Sequence, residues 1–138
     1  MKRVLAFGTF DYFHIGHKYY LNEAAKLGDE LYVIIARDDT VKQVKGFKTD
    51  ENEKTRQKKV ANWPTVAKAI LGSKKDKYDV LKKYKPDIIC LGYDQYAFTQ
   101  QLQNKIIELK LNTKIIRLPA YQPQIYKSSI IKKAQNAN

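Results

Sequence analysis

Short apolar runs alternate with longer polar segments along the chain, and this alternation predicts parallel β-α units. Continuous apolar runs such as Leu31 to Ala36 are typical of strands that are covered on both faces of a sheet. The predicted strands are Arg3 to Phe7, Glu30 to Ala36, Ala67 to Leu71, Asp87 to Gly92 and Lys114 to Leu118. The predicted helices are Ile15 to Leu27, Glu53 to Asn62, Asp76 to Tyr84, Ala97 to Leu109 and Ser128 to Ala134. The pattern predicts the α/β class: a Rossmann-like, open, parallel five-stranded sheet with helices on both faces.

Length and composition favour a globular protein with a single domain. The 138 residues are 43% hydrophobic, and no repeat or low-complexity linker divides residues 1–138. Membrane spans need about 18 consecutive apolar residues, and the sequence has no such run. The first predicted strand also begins too early for a secretory signal, so a cytoplasmic protein without a membrane partner is expected. The single cysteine, Cys90, lies in an apolar run and is expected to pack in the core.

The net charge of +12 suggests an anionic partner. That partner is either a nucleic acid or a small, phosphate-rich substrate, although much of the lysine excess also fits solvated helix faces. A nucleic-acid-binding module is one alternative, but no helix-turn-helix, zinc-ligand or RNA-stacking signature accompanies the charge. Nucleic acid is therefore not the expected partner.

The stretch from Gly8 to His17 is the strongest candidate for a functional site. It follows the first predicted strand and precedes the first predicted helix, where glycine and free N–H groups favour an anion such as phosphate. His14 and His17 are three residues apart and share a helix face, and Gly16 lies between them. The other interpretation is a turn in which the two histidines only cap the helix and pack.

The motif from Gly8 to Asp11, followed by His14-x-Gly-His17, resembles the signature of the cytidylyltransferase-like nucleotidyltransferases. Within them the chain is most similar to archaeal FAD synthases and then to glycerol-3-phosphate cytidylyltransferases. The run from Leu91 to Gln95 favours the former, because it resembles their Leu-Gly-x-Asp-Gln more than the Gly-Asp-Asp-Trp of the latter.

The resemblance implies transfer of a nucleotidyl group from a nucleoside triphosphate to a phosphate-bearing acceptor, with release of pyrophosphate. The preferred reaction joins ATP and FMN into FAD. The alternative is a cytidylyltransferase that uses CTP and glycerol-3-phosphate or another polyol or sugar phosphate. Mg²⁺ or another divalent cation and a homodimer are also implied.

Four catalytic residues follow from the resemblance: His14, His17, Lys45 and Arg56. The histidines would hydrogen-bond the α-phosphate as charge builds on it. Lys45, beside Gly46 in a predicted mobile loop, and Arg56, in an acidic helix start, would bind the phosphates. Without the resemblance, a solvated lysine loop and a surface arginine explain the same residues.

The resemblance also assigns nucleotide-binding residues, which are Gly8, Thr9, Phe10, Asp11, Gly16, Asp94, Ser128 and Ser129. Asp11 would orient the turn or serve the metal. Asp94 would contact the ribose or a metal-bound water, and the two serines would hold the far end of the triphosphate. For Asp94 and both serines, helix capping is the other interpretation.

The chain departs from its relatives near the last helix, where Ala120 and Tyr121 replace an Arg-Thr pair of the cytidylyltransferases. Arg117 is a candidate replacement for that arginine. Tyr121 and Tyr126 are candidates for stacking on the acceptor. A further alternative is a catalytically silent nucleotide sensor, in which replacement of His17 by alanine leaves function intact.

Overall fold

All five strands form one parallel sheet. The structure is a computed structural model that describes residues 1–76, 78–92 and 99–119, without the side chains of residues 45, 99 and 100. The strands are β1 (Arg3–Gly8), β2 (Glu30–Ile35), β3 (Lys68–Leu71), β4 (Ile88–Leu91) and β5 (Lys114–Arg117). Their spatial order is β3-β2-β1-β4-β5, and every neighbouring pair is parallel. The predicted sheet is confirmed, with strand ends that differ by one residue from the prediction.

Helices cover both faces of this sheet, as predicted. The described helices are α1 (Ile15–Ala25), α2 (Asp38–Lys45), α3 (Glu53–Ala61), α4 (Asp79–Tyr84) and α5 (Thr99–Glu108). Alternate strand residues point to opposite faces, so Val4 packs with Leu21 of α1 and Val60 of α3, whereas Leu5 packs with Leu81 of α4 and Leu102 of α5. Two buried layers of apolar side chains therefore hold the sheet between two pairs of helices.

Cys90 lies in the core on the α1 face and is fully buried. Burial raises the pKa of its thiol to about 12, because an apolar environment disfavours the thiolate. The thiol stays protonated at neutral pH, and Cys90 packs in the core as expected.

Helix α2 corrects the prediction of a mobile loop around Lys45. Asp38 and Asp39 occupy its first turn, where the helix dipole stabilises carboxylates. Val41 lies on the buried face of the helix. Gly46 ends the helix with a φ of 80°, a conformation that glycine adopts without strain. Lys45 is thus the last residue of a helix rather than part of a loop.

The other helices follow the prediction closely. α1 ends at Ala25 rather than Leu27, and α4 begins at Asp79 rather than Asp76. The predicted helix from Ser128 to Ala134 lies outside the described residues. None of the helices in the described ranges has the length and apolar character that a membrane-spanning helix requires.

The strand order predicts a ligand-binding crevice at the carboxyl ends of β1 and β4. From β1 the chain continues to β2 and β3 on one side, and then it crosses to β4 and β5 on the other. Ligands of open α/β sheets bind beyond the strands where this change of direction occurs. The stretch from Gly8 to His17 follows β1 and therefore lies at one wall of this crevice.

Candidate functional site

Residues 9–14 form a tight turn between β1 and α1. Phe10, Tyr12 and Phe13 have positive φ values of 61°, 65° and 29°. Left-handed backbone costs about 1–2 kcal/mol for each residue with a side chain, so interactions elsewhere must hold this turn in place.

Gly8 makes room for the ring of Phe10. A Cβ atom on Gly8 would lie 2.7 Å from two ring atoms of Phe10. Phe10 is 2% exposed, and its ring contacts those of Phe13, His17 and Tyr20 at centroid distances of 6.4, 5.3 and 6.3 Å. The nucleotide contact of Phe10 stays a prediction; its buried ring is the centre of an aromatic cluster that supports His17.

The two histidines lie side by side at the start of α1. His14 is the N-cap residue, and its Nδ1 accepts a hydrogen bond from the N–H of Gly16 at 3.1 Å. The N–H of His14 donates in turn to Nδ1 of His17 at 3.2 Å, and the ring centroids are 3.7 Å apart. Because both Nδ1 atoms accept, each ring carries a proton on Nε2. The capping predicted as an alternative is therefore present, and it orients two N–H donors at a helix N-terminus.

His14 is neutral near pH 7. Burial lowers the pKa of its imidazole from 6.5 to about 4, because partial removal from water disfavours the imidazolium. A neutral ring retains the Nδ1 lone pair that caps Gly16. The cap and the Nε2 donor therefore coexist at neutral pH.

This shifted pKa predicts a loss of stability in acid. Between pH 6.5 and about 4 the unfolded chain binds a proton that native His14 does not bind, so acidification lowers the free energy of unfolding. His14→Asn keeps a side-chain acceptor at the N-cap and cannot titrate. We expect the melting temperature of this variant to fall less than that of the wild type between about pH 7 and pH 4.5. Equal decreases in thermal scans of the two proteins would contradict the shift.

The carboxylate of Asp11 holds the segment that precedes α3. Its two oxygens accept from the N–H groups of Asp50 and Glu51, each at 3.1 Å. Glu51 accepts from the N–H of Tyr12 at 2.8 Å, and the hydroxyl of Tyr12 donates to the carboxylate of Asp50. This hydrogen bond raises the pKa of Tyr12 to about 12. Asp11 therefore orients the turn, one of the two functions predicted for it.

Arg56 connects the turn to the ends of β1 and β2. Its guanidinium donates to the carbonyl oxygens of Thr9 and Ala36, both at 2.8 Å, and to that of Glu51 at 3.0 Å. A fourth hydrogen bond, of 2.7 Å, joins it to the carboxylate of Asp38. Among the described residues, Arg56 is the one charged side chain that is fully buried. The direct phosphate contact of Arg56 stays a prediction; its enclosed guanidinium bonds four protein acceptors and so holds the turn in place.

Asp38 is the charged partner of Arg56. Burial by itself raises the pKa of its carboxyl, but hydrogen bonds from Arg56 and from the N–H of Glu53 outweigh this effect and hold the pKa below its usual value. The carboxylate oxygens of Glu53 accept from the N–H of Asp38 at 2.9 Å and from Arg37 at 3.2 Å. The starts of α2 and α3 are thereby held together beside the turn.

The remaining predicted residues are only partly described. Lys45 ends α2, and its side chain lies outside the description. Arg117 ends β5 and donates to the carbonyl oxygen of Gly92 at 2.9 Å, which places it at the carboxyl edge of the sheet. The other predicted contacts lie outside the described residues, and these are Asp94, Tyr121, Tyr126, Ser128 and Ser129.

Sequence reasoning missed three residues that shape the site: Tyr12, Glu51 and Tyr20. Tyr12 and Glu51 join the turn to the segment before α3, whereas the Tyr20 hydroxyl contacts the ends of β1 and β4. The acidic segment was interpreted only as a favourable helix start. A polar tyrosine hydroxyl on the buried face of α1 was the one available signal for Tyr20.

Comparison with known proteins shows the family of the chain. The cytidylyltransferase-like family model matches residues 5–134. A FAD synthase of Thermoplasma volcanium is 42% identical over 96% of this chain and 93% of its own. A FAD synthase of Methanosarcina acetivorans is 46% identical over 86% of this chain and 78% of its own.

Solved structures show the same fold. A structure described as a lipopolysaccharide core biosynthesis protein from Thermoplasma volcanium superposes with a TM-score of 0.83 and 43% identity, over 88% of this chain and 99% of that one. A pantoate-beta-alanine ligase from Francisella tularensis has a TM-score of 0.63 at 16% identity, over 98% of this chain and 69% of that one, and shows the fold alone. With its histidine turn, its five-stranded parallel sheet and these relatives, the chain belongs to the cytidylyltransferase-like family and is a nucleotidyltransferase.

Proposed function

We propose that this nucleotidyltransferase is an FMN adenylyltransferase, which joins ATP and FMN into FAD and releases pyrophosphate. The observation that carries the proposal is the pair of stacked imidazoles at the start of α1. The Nδ1 atom of each ring accepts a hydrogen bond from a backbone N–H group. This arrangement offers two Nε2–H donors and a helix N-terminus to one phosphate. The relatives named FAD synthase support the choice of acceptor.

The chemistry is an in-line displacement at the α-phosphorus of ATP. A phosphate oxygen of FMN forms the new bond, the bond to the bridging oxygen of the β-phosphate breaks, and pyrophosphate leaves with that electron pair. His14 and His17 donate to the α-phosphate oxygens, on which negative charge accumulates in the transition state. Their preset orientation means that little reorganisation accompanies the reaction.

The other predicted residues keep their proposed functions around this centre. Lys45 stabilises the phosphates, Ser128 and Ser129 hold the far end of the triphosphate, and Asp94 contacts the nucleoside. The homodimer and the cytoplasmic location stay predictions.

The described residues do not fit a dedicated magnesium site. They include no group of three or more histidine, cysteine or acidic side chains that could hold a metal ion. Both oxygens of Asp11, the predicted metal ligand, already accept backbone N–H groups. We propose that a divalent cation enters with the phosphates of ATP.

Purified protein incubated with FMN, ATP and Mg²⁺ is expected to form FAD and pyrophosphate in equal amounts, measured by chromatography and a pyrophosphate assay. A parallel reaction with CTP in place of ATP shows which nucleotide base the enzyme prefers. Absence of a flavin dinucleotide from both reactions would overturn the proposal.

A sugar or polyol phosphate is the second candidate acceptor. It is favoured by the similar solved structure that is described as a lipopolysaccharide core biosynthesis protein. Parallel reactions with glycerol-3-phosphate and with a hexose phosphate, each with ATP or CTP, test this candidate. Pyrophosphate release that requires one of these acceptors and does not occur with FMN would establish it.

A further inference from the structure

The hydroxyl of Tyr20 lies where β1 and β4 separate. The two strands are paired from Val4 with Ile88 to Ala6 with Cys90, whereas β1 continues to Gly8 beside β2. The Tyr20 hydroxyl is 2.9 Å from the carbonyl oxygen of Cys90 and 3.3 Å from that of Phe7. One side chain of α1 therefore contacts both strands at the point where their pairing ends.

This point is the floor of the crevice between the two halves of the sheet. After β1 the chain continues toward β2, and after β4 it continues toward β5. The hydrogen-bonded pairing of β1 with β4 therefore ends at Ala6 and Cys90. The Tyr20 hydroxyl is within hydrogen-bond distance of a carbonyl oxygen on each strand, so it restrains the distance between the ends of β1 and β4.

The ring of Tyr20 also supports the histidine wall. It stacks on Phe10 with 6.3 Å between centroids and 22° between planes, and Phe10 meets His17 edge to face at 5.3 Å. The Tyr20 hydroxyl thus contacts the strand ends at the floor of the crevice. Its ring supports His17, the proposed phosphate donor at the wall, through the ring of Phe10.

We infer that Tyr20 is a positioning residue for the nucleoside triphosphate, and that its hydroxyl sets the width of the crevice beneath the ligand. The inference rests on the proposed function, because it assigns the triphosphate to the crevice that His17 faces. Because this assignment places the hydroxyl beneath the triphosphate, its loss should affect the triphosphate more than the acceptor.

Tyr20→Phe tests this inference, because it removes the hydroxyl and keeps the ring on Phe10. Tyr84→Phe is the matched control. Tyr84 lies near the amino-terminal end of β1, away from the crevice, where its backbone carbonyl accepts a hydrogen bond from Arg3. The first measurement is the rise in melting temperature with increasing ATP and Mg²⁺, which gives affinity without any acceptor. The second is KM for ATP and for FMN.

We expect Tyr20→Phe to bind ATP about three- to tenfold more weakly and to raise KM for ATP by the same factor, the usual effect of losing one hydrogen bond. KM for FMN should stay within about twofold of the wild-type value, and Tyr84→Phe should match the wild type for both substrates. A lower melting temperature without ligand, accompanied by unchanged ATP affinity, would overturn the inference and leave Tyr20 a structural residue.

Failure of the proposed function has a different signature. In that case wild-type protein is stabilised by ATP but forms no FAD, while the affinity difference between Tyr20→Phe and Tyr84→Phe persists. The ATP titration therefore tests Tyr20 whatever the acceptor is.

Discussion

His17→Asn is expected to lower kcat for FAD formation by about 10²–10³-fold, the usual cost of removing one donor to a developing oxyanion. The asparagine side-chain oxygen lies near the position of Nδ1, so it still accepts from the N–H of His14, a bond of 3.2 Å in the native protein. Asparagine has no group at the position of Nε2. The variant therefore keeps the hydrogen bond from the N–H of His14 and loses the phosphate donor.

His17→Gln provides the matched control, because its amide nitrogen reaches the position of Nε2. We expect this variant to recover part of the lost rate, and His17→Ala to lose both the rate and part of the melting temperature. Steady-state kinetics and thermal scans of the three variants separate the two functions of the ring. A His17→Asn enzyme with the wild-type kcat would contradict the assignment of His17 as a donor to the α-phosphate.

Arg56→Met is expected to destabilise the protein by about 3 kcal/mol, because each buried acceptor left unsatisfied costs about 1–3 kcal/mol. The substitution removes the guanidinium donor from the carbonyl oxygens of Thr9, Ala36 and Glu51 and from the carboxylate of Asp38. For a domain of this size the melting temperature should fall by roughly 10 °C or more. Thermal or urea denaturation without ligand measures this effect.

Arg56→Lys is the informative comparison, because it keeps the charge but cannot present the fork of donors that reaches four acceptors. We expect it to remain folded, with reduced stability and a lower kcat, since the turn that carries the histidines is less firmly held. A direct phosphate ligand behaves differently. If Arg56→Met melted at the wild-type temperature and only KM for ATP rose, the positioning function would be wrong.

The sheet was predictable because its signals are local. The apolar runs of β1, β2 and β4 are continuous, and the proline and glycine residues around Ile88 to Leu91 mark strand ends within a few positions. Helix α2 was missed because it has few apolar residues, of which Val41 is buried and Val44 is 73% exposed. The two aspartates at its start and Gly46 at its end were the available signals.

The site was only partly predictable. The spacing of His14 and His17 predicted that the two rings lie together, because two residues three apart in a helix share a face, and the ring centroids are 3.7 Å apart. The function of Arg56 depends on carbonyl oxygens that are 20 and 47 residues away in the sequence, and a backbone acceptor leaves no trace in residue type. Gly8 was interpreted as space for a ligand, since nothing in the sequence indicates that Phe10 folds back over it.

The left-handed turn at Phe10, Tyr12 and Phe13 has a consequence for the order of folding. During synthesis this turn leaves the ribosome well before the groups that hold it, namely the segment at Asp50 and Glu51 and the guanidinium of Arg56. We therefore expect the strained backbone to relax, and the histidine rings to lose their stacked arrangement, until α3 has been made and docked. A turn that is synthesised before its supports would then reach its native conformation only after they fold.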